Sequence, residues 1–366
     1  MLQDIYCNTP AIILAHGYVG EILGKTVHGI LMHSTVFNTV ALIDRNKAGQ
    51  DTSEICAGVT KRIPIYDNLE KTFDLCPKVM ILIGDPDENN LEEIKICIQN
   101  NLDIVNSSFK FLKDFPKLVQ LAKEYNVKLI DLRDVPRIGR WPDGSILNIN
   151  AKVVYVTGTD CGLGKRTAAV ELVREAKKRG IKAAFAATGQ TGIMIGCDDG
   201  IVFDAISTNY SAGAVEKLII DLDKRGFELI FLEGQASLMH YGGSTVLTLL
   251  HASNPHAIVL VHDPQRKYHA AYGNSDIFKM CELSREINLI ESLYLPGGNK
   301  YNVVAICTIG QDNITTIKKQ VELPVADVRN NGGPSIILDA ILENINNQSL
   351  LFSNNLHINS IMQIQN

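Results

Sequence analysis

The sequence predicts an α/β protein built from two parallel-sheet domains, and three observations carry that expectation. Short apolar runs rich in β-branched residues alternate with amphipathic stretches through the whole chain. This is the patterning of strands buried on both faces beneath crossover helices. A length of 366 residues is generous for one core and comfortable for two. Between the two series of runs lies DVPRIGRWPDGSILNIN (134–150), with two prolines, two glycines and the only tryptophan. It reads as a connection between domains.

In the first series the expected strands are Ala11–Leu14, Val40–Ile43, Val79–Ile83, Ile104–Val105 and Val127–Ile130. Helical spacing falls between them at Leu91–Asn100 and at Phe115–Tyr125, where Leu118, Leu121 and Ala122 line one face. The second series supplies Val153–Val156, Ala183–Ala187, Leu229–Leu232, Ala257–Val261, Val303–Cys307 and a weaker run at Val321–Val325. The expected division is a domain over 1–138, a linker over 139–150, a domain over 151–347 and an Asn/Gln/Ser-rich tail over 348–366. That tail carries no Asp, Glu, Lys or Arg and is expected as a loose arm or an interface element of a homo-oligomer.

Composition excludes several classes. Hydrophobic residues at 46% and charged residues at 20% give a globular balance, which excludes a disordered or collagen-like chain. Lys plus Arg is 35 against 40 for Asp plus Glu, so a nucleic-acid binder relying on a basic face is not expected. No apolar run approaches the roughly 20 residues that span a bilayer, and the N-terminus lacks a basic leader region. The eight cysteines show no CxxC or Cys/His ligand spacing, consistent with reduced thiols in a cytoplasmic protein.

The strongest chemical signal is VVYVTGTDCGLGKRTAAVELVREAKKRG (153–180). A buried strand runs into a glycine-containing loop, Gly164-Lys165, and a helix with apolar Ala169, Val170, Leu172, Val173 and Ala176. That is the setting of a phosphate-binding loop: backbone N–H groups turn inward, the helix N-terminus adds partial positive charge, and lysine neutralises phosphate oxygens. The expected cradle comprises Gly158, Thr159, Asp160, Cys161, Gly162, Gly164, Lys165, Arg166 and Thr167. Its spacing is unusual. Five residues separate Gly158 from Gly164, and Arg166 stands where Ser or Thr would ligand Mg2+, with Thr167 one place late. Downstream, FELIFLEGQAS (227–237) is an apolar strand ending in Glu233. A carboxylate there can hold a phosphate-bridging cation, so Glu233 and Thr167 are the metal candidates if Mg2+ is used. Asp160 is a further acid that could hold the metal, orient Lys165 or cap the turn.

The GTDxxxGK variant resembles dethiobiotin synthetase and its P-loop relatives, although AAFAATGQTG (183–192) lacks the lysine those enzymes carry at the end of that strand. Over nearly the whole chain the sequence resembles a narrower family catalogued as a domain of unknown function, whose characterised members act as D-glutamate N-acetyltransferases. The match rests on ALIDRNKAG (41–49), LDIVNSS and LIDLRDVP in the first domain. In the second it rests on GTDCGLGKRT, TGQTGIMI, EGQASLMHY, LLHASNPHAIVLVHDPQR and LPVADVRNNGG. Ala236 departs from a position where glycine is common.

This resemblance implies a Rossmann-like N-terminal domain followed by a P-loop NTPase-like domain. It also implies transfer of an acetyl group from acetyl-CoA to the amine of a small amino acid such as D-glutamate. Coenzyme A carries a pyrophosphate, so a cradle for ATP phosphates can serve it. Acyl transfer to an amine needs a base and an oxyanion donor. Lys165, Glu233, Gln190 and His240 are the catalytic candidates, with Glu233 and His240 rivals for the base. Gln190, Gln235, Arg266 and Arg329 are the substrate-binding candidates, an arginine past a strand end suiting a carboxylate. The competing expectation is an ATP/Mg2+-dependent kinase or ligase activating a small carboxylate. A nucleotide-responsive regulator is a third, less well served by a carboxylate pocket. In the first domain IILAHGYVG followed by Asp44 mimics a dinucleotide-binding start, but Gly17 and Gly20 do not complete GxGxxG.

Overall fold

A computed structural model describes residues 2–21, 24–88, 90–136, 139–270 and 277–363. The chain divides into two compact units, Met1–Gly139 with Ala187–Ser207, and Arg140–Ala186 with Thr208–Asn366. Each is an α/β unit with a parallel sheet, as the alternating pattern predicts.

The first unit has strands β1 (Thr9–Leu14), β2 (Phe37–Ile43), β3 (Ile65–Tyr66), β4 (Val79–Leu82), β5 (Asp103–Asn106) and β6 (Leu129–Asp131). They lie in the order β3-β2-β1-β4-β5-β6, all parallel. One face is covered by the helices Leu91–Gln99 and Pro116–Glu124, which pack Ile94, Ile98 and Leu118 against Ile12, Leu14, Met80 and Leu82. Each such aliphatic side chain, fully buried, contributes about 1.5–3 kcal/mol. The segment Ala187–Ser207 holds the helix Gln190–Ile195 and the two-residue strand β9 (Asp199–Gly200). It is joined to the rest of the first unit by Thr26 and Thr191, whose hydroxyls lie 2.9 Å apart, and by the Thr35 N–H bonding the Ile195 carbonyl at 3.0 Å.

The second unit contains β7 (Lys152–Gly158), β8 (Ala183–Ala187), β10 (Leu229–Glu233), β11 (Ala257–Val261), β12 (Val303–Cys307) and β13 (Val325–Ala326). Their order is β13-β12-β11-β7-β10-β8, again parallel. Register brings three strand ends together: Gly158 pairs with Val261, and Val156 with Glu233. Ligands of open parallel sheets bind at the carboxyl ends of the strands, where the strand order reverses. Here β7 sits between β10 and β11, so the loops after all three emerge side by side.

Two differences from the sequence expectations have simple causes. The run expected at Val321–Val325 pairs only as Val325–Ala326, because Pro324 has no N–H to give the ladder and offers only its carbonyl, to Ile306. The last helix spans Gly333–Gln363, so most of the expected tail continues a helix, and residues 364–366 lie outside the described residues.

Candidate active site

The phosphate loop forms where β7 meets the helix Lys165–Lys178. Gly164 sits at φ +98°, a left-handed conformation that glycine adopts at no steric cost, and it turns the chain into the helix. Gly158 is needed for a different reason. A Cβ there would lie 2.9 Å from the Val261 carbonyl and 3.2 Å from the Lys165 side chain. Its absence lets Lys165 fold back over the strand end, where Nζ donates to the Asp160 carbonyl at 2.5 Å.

Asp160 is the centre of the site. It is fully buried, and three groups from the segment after β11 converge on its carboxylate. Arg266 Nη1 donates to Oδ2 at 2.9 Å, the Ala270 N–H donates to Oδ2 at 2.8 Å, and His269 Nδ1 lies 3.2 Å from Oδ1. The same Arg266 nitrogen reaches the Cys161 carbonyl at 2.5 Å. Burial pushes the Asp160 carboxyl up, but these donors outweigh it and hold the group below the usual carboxylate range. Asp160 is therefore ionised and can only accept, so His269 donates its Nδ1–H to it.

His240 is placed differently. Its Nδ1 accepts the Gly242 N–H at 3.0 Å, so the ring proton is on Nε2, which faces the Ala270 carbonyl at 3.3 Å and Asp160 Oδ1 at 3.7 Å. Both nitrogens are engaged in holding the turn after β10. His262, at the end of β11, meets the Thr159 hydroxyl at 2.8 Å, and burial lowers its pKa to about 4, so it is neutral.

Glu233, buried at the end of β10, lies 3.8 Å from Arg166 Nη1. The guanidinium thus stands beside the carboxylate that would hold a cation in the Mg2+ arrangement. Among the described residues, one other set of potential ligand atoms comes together: Asp160, Cys161 and His240 lie within 4.8 Å of one another. Arg266 already occupies Asp160, and Gly242 occupies the His240 lone pair, so this set reads as a hydrogen-bond network.

Of the remaining candidates, Gln235 follows Glu233 in the second unit, and the next residue, Ala236, takes φ +27°. Arg329 is held by its near neighbour, with Nε and Nη2 at 3.2 and 3.1 Å from the two Asp327 oxygens. Gln190 begins a helix in the first unit. Asp44 in that unit is fully buried and accepts the N–H groups of Val19 and Asn46, so it staples the turn after β1 and is not displayed to a ribose. Sequence reading did not single out His269. Its signal is the KYHA that follows HDPQR just past a strand end.

The turn after β10 rests on a buried acid. Glu286, on the helix Leu283–Ser292, accepts the Leu238 N–H at 3.0 Å. Burial raises its pKa from 4.5 to about 7, against the lowering effect of the backbone N–H groups of Leu238 and Met239. An acid with a raised folded pKa favours folding when protonated, so its contribution is complete below about 4.5 and is lost as pH rises through about 7. His262 acts in the opposite sense as pH falls, so the comparison must be with a variant. Glu286→Gln is expected to gain stability relative to wild type between pH 5 and 8, measured by urea unfolding. A constant difference across that range would show that Glu286 does not titrate there.

Comparison with known proteins places the chain. Residues 140–337 match the family model described as a domain of unknown function, DUF1611, P-loop domain, and residues 45–135 match its Rossmann-like N-terminal counterpart. A protein of Tritonibacter scottomollicae named D-glutamate N-acetyltransferase is 32% identical over 249 residues, 66% of this chain and 73% of that protein. One of the same name from Pseudoalteromonas is 31% identical over 207 residues, covering 56% and 60% respectively. The crystal structure of a DUF1611 family protein from Anabaena variabilis superposes with a TM-score of 0.84 at 30% identity, over 92% of this chain and 100% of that one.

Proposed function

The chain belongs to the DUF1611 family, and from that premise we propose that it is an N-acetyltransferase moving the acetyl group of acetyl-CoA to the amine of a small D-amino acid of the glutamate type. The observation that carries the reading is the identity of about a third with two relatives named for that activity.

The site's chemistry supports it. Phosphoryl-transfer P-loops hold Mg2+ through a Ser or Thr after the lysine and a strand-end acid. Here Arg166 has that loop position and lies 3.8 Å from Glu233, the strand-end acid. Protein cations thus meet the ligand's anions, which suits binding a pyrophosphate that stays intact. The acceptor amine must lose a proton as it attacks the thioester carbonyl, and the thiolate of CoA leaves. His269 is the base we assign, because its Nδ1 is engaged by the Asp160 carboxylate, an acceptor that orients the ring and leaves Nε2 as the nitrogen to take the proton. His240 lacks a free lone pair in this arrangement. Gln235, beside the strand end, and Arg266, at the loop, are the groups we assign to the substrates' polar ends.

Incubating the protein with acetyl-CoA and a panel of D- and L-amino acids tests this, with products read by mass spectrometry. The expected result is an N-acetylated D-amino acid formed without ATP and at an unchanged rate in the presence of a chelator. ADP or AMP formation that depends on Mg2+ and on one particular acid, without acetylation, would overturn it in favour of a ligase or kinase.

A further inference from the structure

Resting on the reading of the phosphate loop as a nucleotide cradle, we propose that Arg266 binds a phosphoryl group of the ligand through its Nε–Nη2 edge while Nη1 holds the loop. The guanidinium is divided between two duties. Nη1 alone makes its protein contacts, to Asp160 Oδ2 at 2.9 Å and to the Cys161 carbonyl at 2.5 Å, both in the phosphate loop. Those two acceptors use both Nη1 protons. Among the described residues no group accepts from Nε or Nη2, and the side chain is 27% exposed. The edge left over carries two parallel N–H donors, the pair that matches two oxygens of one anionic group.

The fork is aimed by its own turn. The Arg266 N–H donates to the Asp263 carbonyl at 3.2 Å, with Pro264 at the second position of the turn and Asp263 Oδ1 accepting the Gln265 N–H at 3.0 Å. Gln265 Nε2 ties this turn to Asn313 Oδ1 at 2.9 Å, and Asn313 Nδ2 donates to the Ile309 carbonyl at 2.8 Å. Arg266 is thus pinned to the segment after β12 on one side and to the phosphate loop on the other. A guanidinium held this way loses little freedom when an anion arrives. An anion on the outer edge lies one guanidinium width from the Cys161 carbonyl, next to the phosphates the loop would hold. Asp160 already balances the unit charge, so the outer edge contributes paired hydrogen bonds more than net charge. A diphosphate in the loop and the 3′-phosphate of coenzyme A, one ribose away, both offer the group it fits.

Isothermal titration of CoA, 3′-dephospho-CoA and ADP into wild type, Arg266→Lys and Asp160→Asn tests the fork. Lysine keeps a cation for Asp160 but cannot present two parallel donors, so Arg266→Lys is expected to weaken CoA about tenfold or more. Equal weakening of 3′-dephospho-CoA would put the diphosphate on the fork, and weakening of CoA alone would put the 3′-phosphate there. Asp160→Asn loosens the fork's anchor without removing the fork, and CoA affinity should stay near that of wild type. Unchanged CoA binding by Arg266→Lys overturns the proposal. So does equal weakening by both variants, which would mean that Arg266 acts only by seating its segment on the loop. A raised KM for the amino-acid acceptor, with CoA affinity unchanged, would put a carboxylate on the edge and overturns it as well. Wild type that binds ADP but not CoA would sink the acetyl-CoA reading alone, and the fork is then judged on ADP. Wild type that binds neither overturns both.

Discussion

Asp160→Ala is expected to lower the unfolding free energy by about 3 kcal/mol, the low end of the range for removing one partner of a buried pair. The cost comes from what is left behind. Arg266 loses its carboxylate, His269 loses the acceptor for Nδ1–H, and the Ala270 N–H loses its partner. All three belong to one segment, so its seat over the phosphate loop goes with them. Arg266 is 27% exposed and can partly rehydrate, which keeps the figure at the low end. Asp160→Asn keeps the shape and one acceptor oxygen and should cost less than half as much. Denaturant midpoints for the two variants would decide the matter. An Asp160→Ala cost below about 1 kcal/mol, with activity retained, would mean that the carboxylate neither holds the segment nor orients His269.

The second large effect is on ligand binding alone. Lys165→Ala is expected to weaken CoA about 100-fold, because a charge-assisted hydrogen bond contributes about 1.5–3 kcal/mol and Lys165 stands where the phosphate loop enters its helix. Stability should hold or rise, since Lys165 is a buried ammonium folded back onto the Asp160 carbonyl. Arginine is not expected to rescue it, because a planar fork cannot occupy the space that Gly158 leaves for a lysine stem. Titration of CoA alongside thermal unfolding separates the two properties. Affinity within threefold of wild type would show that the loop does not bind the ligand's phosphates through this residue.

Much of this architecture is legible in the sequence, for reasons tied to particular residues. The strands Ala183–Ala187, Ala257–Val261 and Val303–Cys307 are short, wholly apolar runs, buried in the sheet as expected. The loop from Gly158 to Thr167 is legible because phosphate binding requires glycine, lysine and a helix start at close spacing. The two-residue strand Ile65–Tyr66 is too short to leave a periodic trace. The convergence on Asp160 is invisible in one dimension, because Arg266, His269 and Ala270 are more than 100 residues away in the chain. His240 reads as a base until its Nδ1 is seen accepting a backbone N–H from its own turn. Arg329 reads as a carboxylate clamp, although Asp327 two residues earlier offers the nearer carboxylate.

The return of residues Ala187–Ser207 to the first unit has a consequence for how the protein is made. A ribosome that has released the first 139 residues has released an unfinished domain. The helix that meets Thr26 and Thr35 is not yet synthesised. Synthesis at about 5–20 residues per second leaves that surface waiting for seconds, while the phosphate loop and its helix emerge in between. The linker at 139–150 is thus a poor place to cut the gene. A fragment ending there would expose apolar surface that the intact chain covers, and chaperone demand should fall only once residue 207 has cleared the exit tunnel.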